Sequence, residues 1–413
     1  MNIFRTLHRI VLPVILSGIL LGLKPVLSPA APTALLTVNT LLDNDTEGDF
    51  LCTLREAITA AENNADYHEC SATGYGSDTI TFSVSGIIPL SSSLPAISDN
   101  LGLTIDGTGQ NVTISGEDAV RVFYVSDVGA SLTLKNLSVI KGDAKETDLG
   151  GHGGGVYSIG ALTVEACNFS SNNAEWNGGA IYCNFTGDFF ITDSTFSSNG
   201  AIHSGGAIWA NALEVTSSTF ISNTANYGGA IIHSSQTVTV TNSTFSGNFA
   251  TNAGGCIYNT SGWLVEVINS TFSGNSAAGG GCIQNASGAI YLKNTIVANS
   301  VAGGNCSGAI SNDGNNIEDG TTCGWGTDSG SKSNTPPQLG ALGDYGGPTR
   351  TFELLAGSPA IDGVTWNAPN GCPGTDQRGI IRPFDGDGDG APYCDIGAYE
   401  RKIETYLPLV LKN

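Results

Sequence analysis

The chain has 413 residues with 37 acidic against 16 basic side chains, a formal net charge of −21. So acidic a protein is a poor partner for nucleic acid or anionic lipid, whereas divalent cations remain compatible with it. Ten cysteines, an even count, suggest oxidation in an exported chain.

Residues 1–30 read as a secretory signal. Arg5, His8 and Arg9 precede an apolar run over residues 10–23, and Ser28-Pro29-Ala30 offers a small-residue cleavage site. The run is short for a membrane span, and an uncleaved anchor is the alternative. Cleavage would remove three basic residues and no acid, deepening the negative charge.

Residues 31–77 are expected to form an N-terminal cap. Cys52-Thr53-Leu54-Arg55-Glu56-Ala57-Ile58 begins a helix that runs to about residue 63. Thr53 and Glu56 have capping-box spacing, and Leu54, Ile58 and Ala61 fall on one face. Arg55 and Glu56 therefore read as surface and capping residues rather than catalytic ones. The segment resembles the CSLREA-type domain, here with Thr53 in the usual serine position and its capping hydroxyl kept. Asp78-Thr79-Ile80-Thr81-Phe82 and Leu103-Thr104-Ile105-Asp106-Gly107 fit that family's first coils.

Residues 78–302 carry a tandem repeat. Copies open at Gly154-Gly155, Gly178-Gly179, Gly205-Gly206, Gly228-Gly229, Gly254-Gly255 and Gly280-Gly281, every 23 to 27 residues, and close on Phe-x-x-Asn. A period of that length, with short β-rich runs such as Val238-Thr239-Val240 between turn residues, predicts an all-β solenoid, a right-handed parallel β-helix. Equivalent residues should stack about 4.8 Å apart. Phe169, Phe196, Phe220, Phe245 and Phe272 form an internal column, continued by Ile296. Cys167, Ser194, Ser218, Ser243, Ser270 and Asn294 form a small-residue column. Asn172, Asn199, Asn223, Asn248, Asn275 and Asn299 form an amide column suited to left-handed corners. The two motifs resemble the GG-x-I and F-x-x-N repeats of polymorphic outer-membrane proteins, which implies a surface β-helix.

Residues 303–400 change character, with more Pro and Asp. Ser358-Pro359-Ala360-Ile361-Asp362, Thr375-Asp376-Gln377-Arg378-Gly379 and Cys394-Asp395-Ile396-Gly397-Ala398-Tyr399-Glu400 resemble the choice-of-anchor Q domain. That resemblance implies export and surface association without an established activity. The apolar tail, residues 401–413, is too short to span a bilayer.

Sequence spacing proposes disulfides Cys52–Cys70, Cys306–Cys323 and Cys372–Cys394. Cys256 and Cys282 share a column on adjacent coils, where a disulfide and two buried thiols are both compatible with the geometry. No cofactor is required by any motif. Asp385, Asp387 and Asp389 match the start of a Ca²⁺ loop, with Asp395 one residue short of the usual final ligand, so calcium is the one metal to test.

Catalysis finds little support. No other Lys or Arg lies between Lys145 and Lys293, which disfavours a lyase, and the acids in that stretch do not share columns on neighbouring coils. Asp188 and Asp193 lie on one coil, and His152 and His203 share a corner. By strand alternation Tyr182, Trp209, Ile232 and Tyr258 face outward, forming an aromatic row able to stack on sugar rings or on a partner protein, or on one another. The expected role is a secreted or cell-surface binding or structural module. Polysaccharide or another surface component would be its partner, and a carbohydrate-active enzyme or a passive scaffold is the alternative.

Overall fold

A computed structural model describes residues 34–72, 76–260, 262–364 and 371–403. Residues 1–30, where a signal is expected, and residues 404–413 of the tail lie outside this range. Among the described residues, four parallel sheets wind into one solenoid with 11, 10, 8 and 5 strands. One coil shows the pattern. The chain passes through Val156–Ser158 in the eight-stranded sheet and Ala161–Glu165 in the 11-stranded sheet. It then crosses Asn168–Ser170 in the ten-stranded sheet and Asn173–Ala174 in the five-stranded one. Alternation sets the faces: Leu162 and Val164 point inward and are buried, while Thr163 and Glu165 point outward.

The phenylalanine column is internal. Phe169, Phe196, Phe220, Phe245 and Phe272 are fully buried, with centroids 5.1, 5.0, 4.7 and 4.5 Å apart and planes within 8° of parallel. Each ring contributes about 2–3 kcal/mol by leaving water. Ile88, Ile114 and Val139 continue the file on one side and Val297 on the other. The coil therefore extends beyond the visible Phe repeat. Pairing begins at Leu35–Val38, before the helix, and runs past Gly303 to Ile317–Glu318.

Three columns differ from the expected phase. Val297, not Ile296, takes the last Phe position. Ile296 points outward, where the C-terminal segment buries it against Gly397. The flanking columns shift with it. Thr295 rather than Asn294 ends the hydroxyl column, and Ser300 rather than Asn299 stands at the amide position. The first repeat also moves by one: Val156 pairs with Ile181, so Gly153-Gly154 matches Gly178-Gly179. Gly153, Gly178, Gly205, Gly228, Gly254 and Gly280 all hold φ between 55° and 66°, the left-handed region.

The asparagines form a ladder, but they are not the left-handed residues. Asn199 Oδ1 accepts both the backbone N–H and the Nδ2 of Asn172 at 3.0 Å, and Asn172 Nδ2 also donates to the Val139 carbonyl. Asn223, Asn248 and Asn275 repeat the arrangement. The turn itself is made by the preceding residue: Ser171, Ser198, Ser222, Gly247 and Gly274 have φ of 54° to 74°. Buried amides are retained because each satisfies several backbone and side-chain groups, four in the case of Asn199.

The helix Leu54–Asn63 packs on Leu35–Val38, and Thr53 and Glu56 form the reciprocal capping box. Arg55 pairs with Asp43 and donates to the carbonyls of Ser92 and Ser93. At the far end Trp325 closes the core beside the Cys306–Cys323 disulfide, and Lys332 bridges to Ile317. No helix among the described residues is long and apolar enough to cross a membrane.

Candidate functional site

The outward aromatic row is longer and less exposed than alternation alone implies. Tyr124, Tyr157, Tyr182, Trp209, Ile232 and Tyr258 share one register in the eight-stranded sheet. Tyr157 is hidden in the sequence because Gly154-Gly155 reads as the first glycine pair, one residue late, and Tyr124 because its coil carries no Gly-Gly pair. Tyr157, Tyr182 and Trp209 stack at 5.1 and 4.4 Å. His152, on the corner one coil earlier, lies 4.4 Å over Tyr182, and Tyr227 covers Tyr258 in the same way at 5.3 Å. Tyr182 is therefore buried, contrary to the expectation of an exposed row; Trp209 and Tyr258 are half-buried. Burial pushes the Tyr182 hydroxyl up to about 12.

The histidines do not assemble a catalytic group. His203 rests against Trp176 and bonds Ser204, whereas the corner position of His152 is continued by Asn177, not by His203. His233 is buried, its Nε2 2.6 Å from the Gln236 carbonyl. Asp188 and Asp193 diverge. Asp188 lines a depression of about 160 Å³ on the 11-stranded sheet with Phe190 and, from the next coil, Glu214. This pairing of acids on adjacent coils is not visible from aligned columns, because Asp188 precedes its strand. Asp193 faces a separate groove, where burial and then Glu165 raise its pKa.

The acidic loop is rearranged relative to its motif. Asp385 and Asp387 converge with Asp362, each offering an oxygen within 4.8 Å of the others. Asp362 Oδ2 accepts the N–H groups of Gly386 and Asp387, which ties the loop to a residue 23 positions upstream of Asp385. Asp389 does not join the cluster and accepts from Ala391. Asp395 also stands apart. It is fully buried, accepts the N–H groups of Asp362 and Arg401, and is driven up to about 8 by burial and then by Glu400. Three convergent carboxylates suit a hard, oxygen-seeking cation such as Ca²⁺.

The remaining motif residues of this region are structural. Arg382 is wholly buried, 3.2 Å from Glu400, and donates to the carbonyls of Asp395 and Gly397. Arg378 pairs with Asp376 and lies 3.6 Å over the Tyr399 ring. Gln377 fixes the segment to the coil. Its Nε2 donates to Thr219 and Thr349, and its Oε1 accepts from Thr244. At the same face the Ala398 N–H donates to Thr271.

Cys52–Cys70, Cys306–Cys323 and Cys372–Cys394 are bonded. Cys256 and Cys282 are buried thiols, as are Cys167 and Cys183. Of the two arrangements open to Cys256 and Cys282, the structure holds the reduced one. Asn275 Nδ2 donates to Cys282 Sγ at 3.4 Å, so the last ladder amide ends on sulfur.

The register decides what the chain is similar to. The model of the Chlamydia polymorphic membrane protein repeat matches residues 166–184 and 193–211. These are successive coils, offset by the spacing that pairs Asn168 with Thr195 and Phe169 with Phe196. The match covers a small part of the chain and supports a β-helix repeat of the kind found in surface membrane proteins. No curated protein matches the chain.

Proposed function

We propose that this protein is a surface-displayed binding module, exported by the 1–30 segment, whose lateral aromatic seam meets polysaccharide or another cell-surface component. The observation that carries the reading is the half-buried pair Trp209 and Tyr258, held at fixed spacing by rings stacked behind them. Rings pre-ordered by stacking lose little entropy on binding and hold a fixed, partly exposed apolar surface for sugars. The CSLREA-type cap and the choice-of-anchor Q-like segment belong to the same proposal, as modules that close the coil and join it to a surface. A glycan array comparing the parent with Trp209→Ala tests it: binding should fall at least tenfold in the variant, and equal binding would rule Trp209 out.

A second reading, a polysaccharide hydrolase, draws on Asp188 and Glu214 beside Phe190. Two carboxylates across a sugar-sized depression are the minimum for glycoside hydrolysis. Reducing-sugar release by the parent, abolished in Glu214→Gln, would establish it; no release from any polysaccharide bound on the array would dismiss it.

A further inference from the structure

We infer that the uncovered end of the ten-stranded sheet is a binding groove for an extended, uncharged glycan. This rests on the polysaccharide reading for its ligand class but places the polymer on a different face from the aromatic seam. The outward column of this sheet runs Thr113, Ser138, Asn168, Thr195, Thr219, Thr244, Thr271. Its later members are consumed by the C-terminal segment: Thr219 and Thr244 bond Gln377, and Thr271 takes the Ala398 N–H. Its earlier members are not. Among the described residues, Ser138, Asn168 and Thr195 make no side-chain hydrogen bond, and neither does Asp193 beside them.

These groups line a groove of about 420 Å³, closed at one end by Pro348 of the C-terminal segment. Thr349 holds that lip in place by donating to the Ser217 carbonyl. The face is thus continuous with an interface that already works by pairing hydroxyls and amides, one coil from where that pairing stops. Half-buried hydroxyl and amide groups with unused bonding capacity favour a ligand that brings many hydroxyls.

Charge and backbone chemistry narrow the ligand. No lining side chain is cationic, and the chain as a whole is strongly acidic, so uronate or sulfated polymers are disfavoured. Asp193 adds a carboxylate acceptor to this lining, which suits a hydroxyl-rich neutral chain and repels an acidic one. Every strand bordering the groove is paired on both sides, leaving no free backbone edge for a peptide to extend. The side chains recur about every 4.8 Å along the coil axis. That spacing is close to the rise per sugar of an extended β-linked glycan, so successive residues can meet successive coils.

The test uses the full chain with cellohexaose and xylohexaose as neutral probes and hexagalacturonate as the acidic one, read by calorimetry. The variants are Ser138→Trp, which fills the groove, the near-isosteric Thr195→Val, and Trp209→Ala on the other face. The inference expects a neutral probe to bind and hexagalacturonate not to. Ser138→Trp should abolish binding and Thr195→Val weaken it about tenfold, both with unchanged melting. Loss in Trp209→Ala alone would overturn the groove and leave the seam as the glycan site. Tighter binding of hexagalacturonate would overturn the neutral assignment. Failure of the parent to bind any of the three would overturn both.

Discussion

Single residues in this coil are tied to copies of themselves, so a change at one position is felt by its neighbours above and below. Phe220 sits between Phe196 and Phe245 at 5.0 and 4.7 Å. Phe220→Ala should cost about 3–5 kcal/mol in urea unfolding, because parallel strands on both sides prevent the cavity from closing. Asn223→Ala removes the acceptor of Asn199 Nδ2 and its backbone N–H and the donor to the Phe196 carbonyl. Each buried group left unpaired costs about 1–3 kcal/mol. Asn299→Ala should be much milder, since that side chain bonds only Ser273 and stands outside the ladder. Equal losses at Asn223 and Asn299 would contradict the phase assigned to the last coil.

One residue-scale effect is pH-dependent. The hydrogen bond that the His68 ring donates to fully buried Glu56 raises the pKa of His68 above its usual 6.5, against the opposing effect of desolvation. The folded cap then holds this proton more tightly than the unfolded chain does. Its contribution is complete below pH 6.5 and is lost as pH climbs through the raised value. Melting temperature should fall as pH rises above 6.5 in the parent and vary less in His68→Gln. The same slope in both proteins would remove the effect.

At the level of elements, the helix Leu54–Asn63 is readable because its signals are local. Thr53 and Glu56 stand three apart, and both halves of the box form. Thr53→Ala should cost about 1–2 kcal/mol and loosen the first coil, seen as faster amide exchange in Leu35–Val38. The strands are equally legible wherever one face is polar, as in the alternation of Ala161–Glu165. Phase fails at Ile296-Val297, where both residues are apolar and both are buried. Alternation cannot choose between inside and outside when a second layer covers the outer face. Only the docked segment, with Gly397 against Ile296, breaks that tie. The seam is misjudged for a related reason, since exposure of Tyr182 depends on the corner ring of His152 and not on its own strand. Asp362 escapes notice as a member of the acidic cluster because its convergence with Asp385 and Asp387 is made by folding, not by spacing.

For the whole molecule, the decisive contact is between the coil and its own C-terminal segment. Gln377 makes bonds to Thr219, Thr244 and Thr349 at once. Gln377→Ala should release the segment without unfolding the solenoid, giving protease cuts beyond residue 340 while the parallel-sheet signal persists. Calcium acts at the same level. If Asp362, Asp385 and Asp387 hold it, millimolar Ca²⁺ should raise the melting temperature of the parent and not of Asp362→Asn. No shift in the parent would remove the ion from this loop.

The unbroken register of the asparagines has one more consequence. Each interior amide needs only an identical amide on either side and the carbonyl of a Phe from the repeat, so nothing in the ladder records how many turns the rod contains. Inserting or deleting a whole turn between Asn199 and Asn223 should preserve every bond type and change only the reach of the molecule. A partial turn would strand each amide beside a stranger. Evolution can therefore lengthen this protein in steps of one coil, with stature as the quantity most freely adjusted.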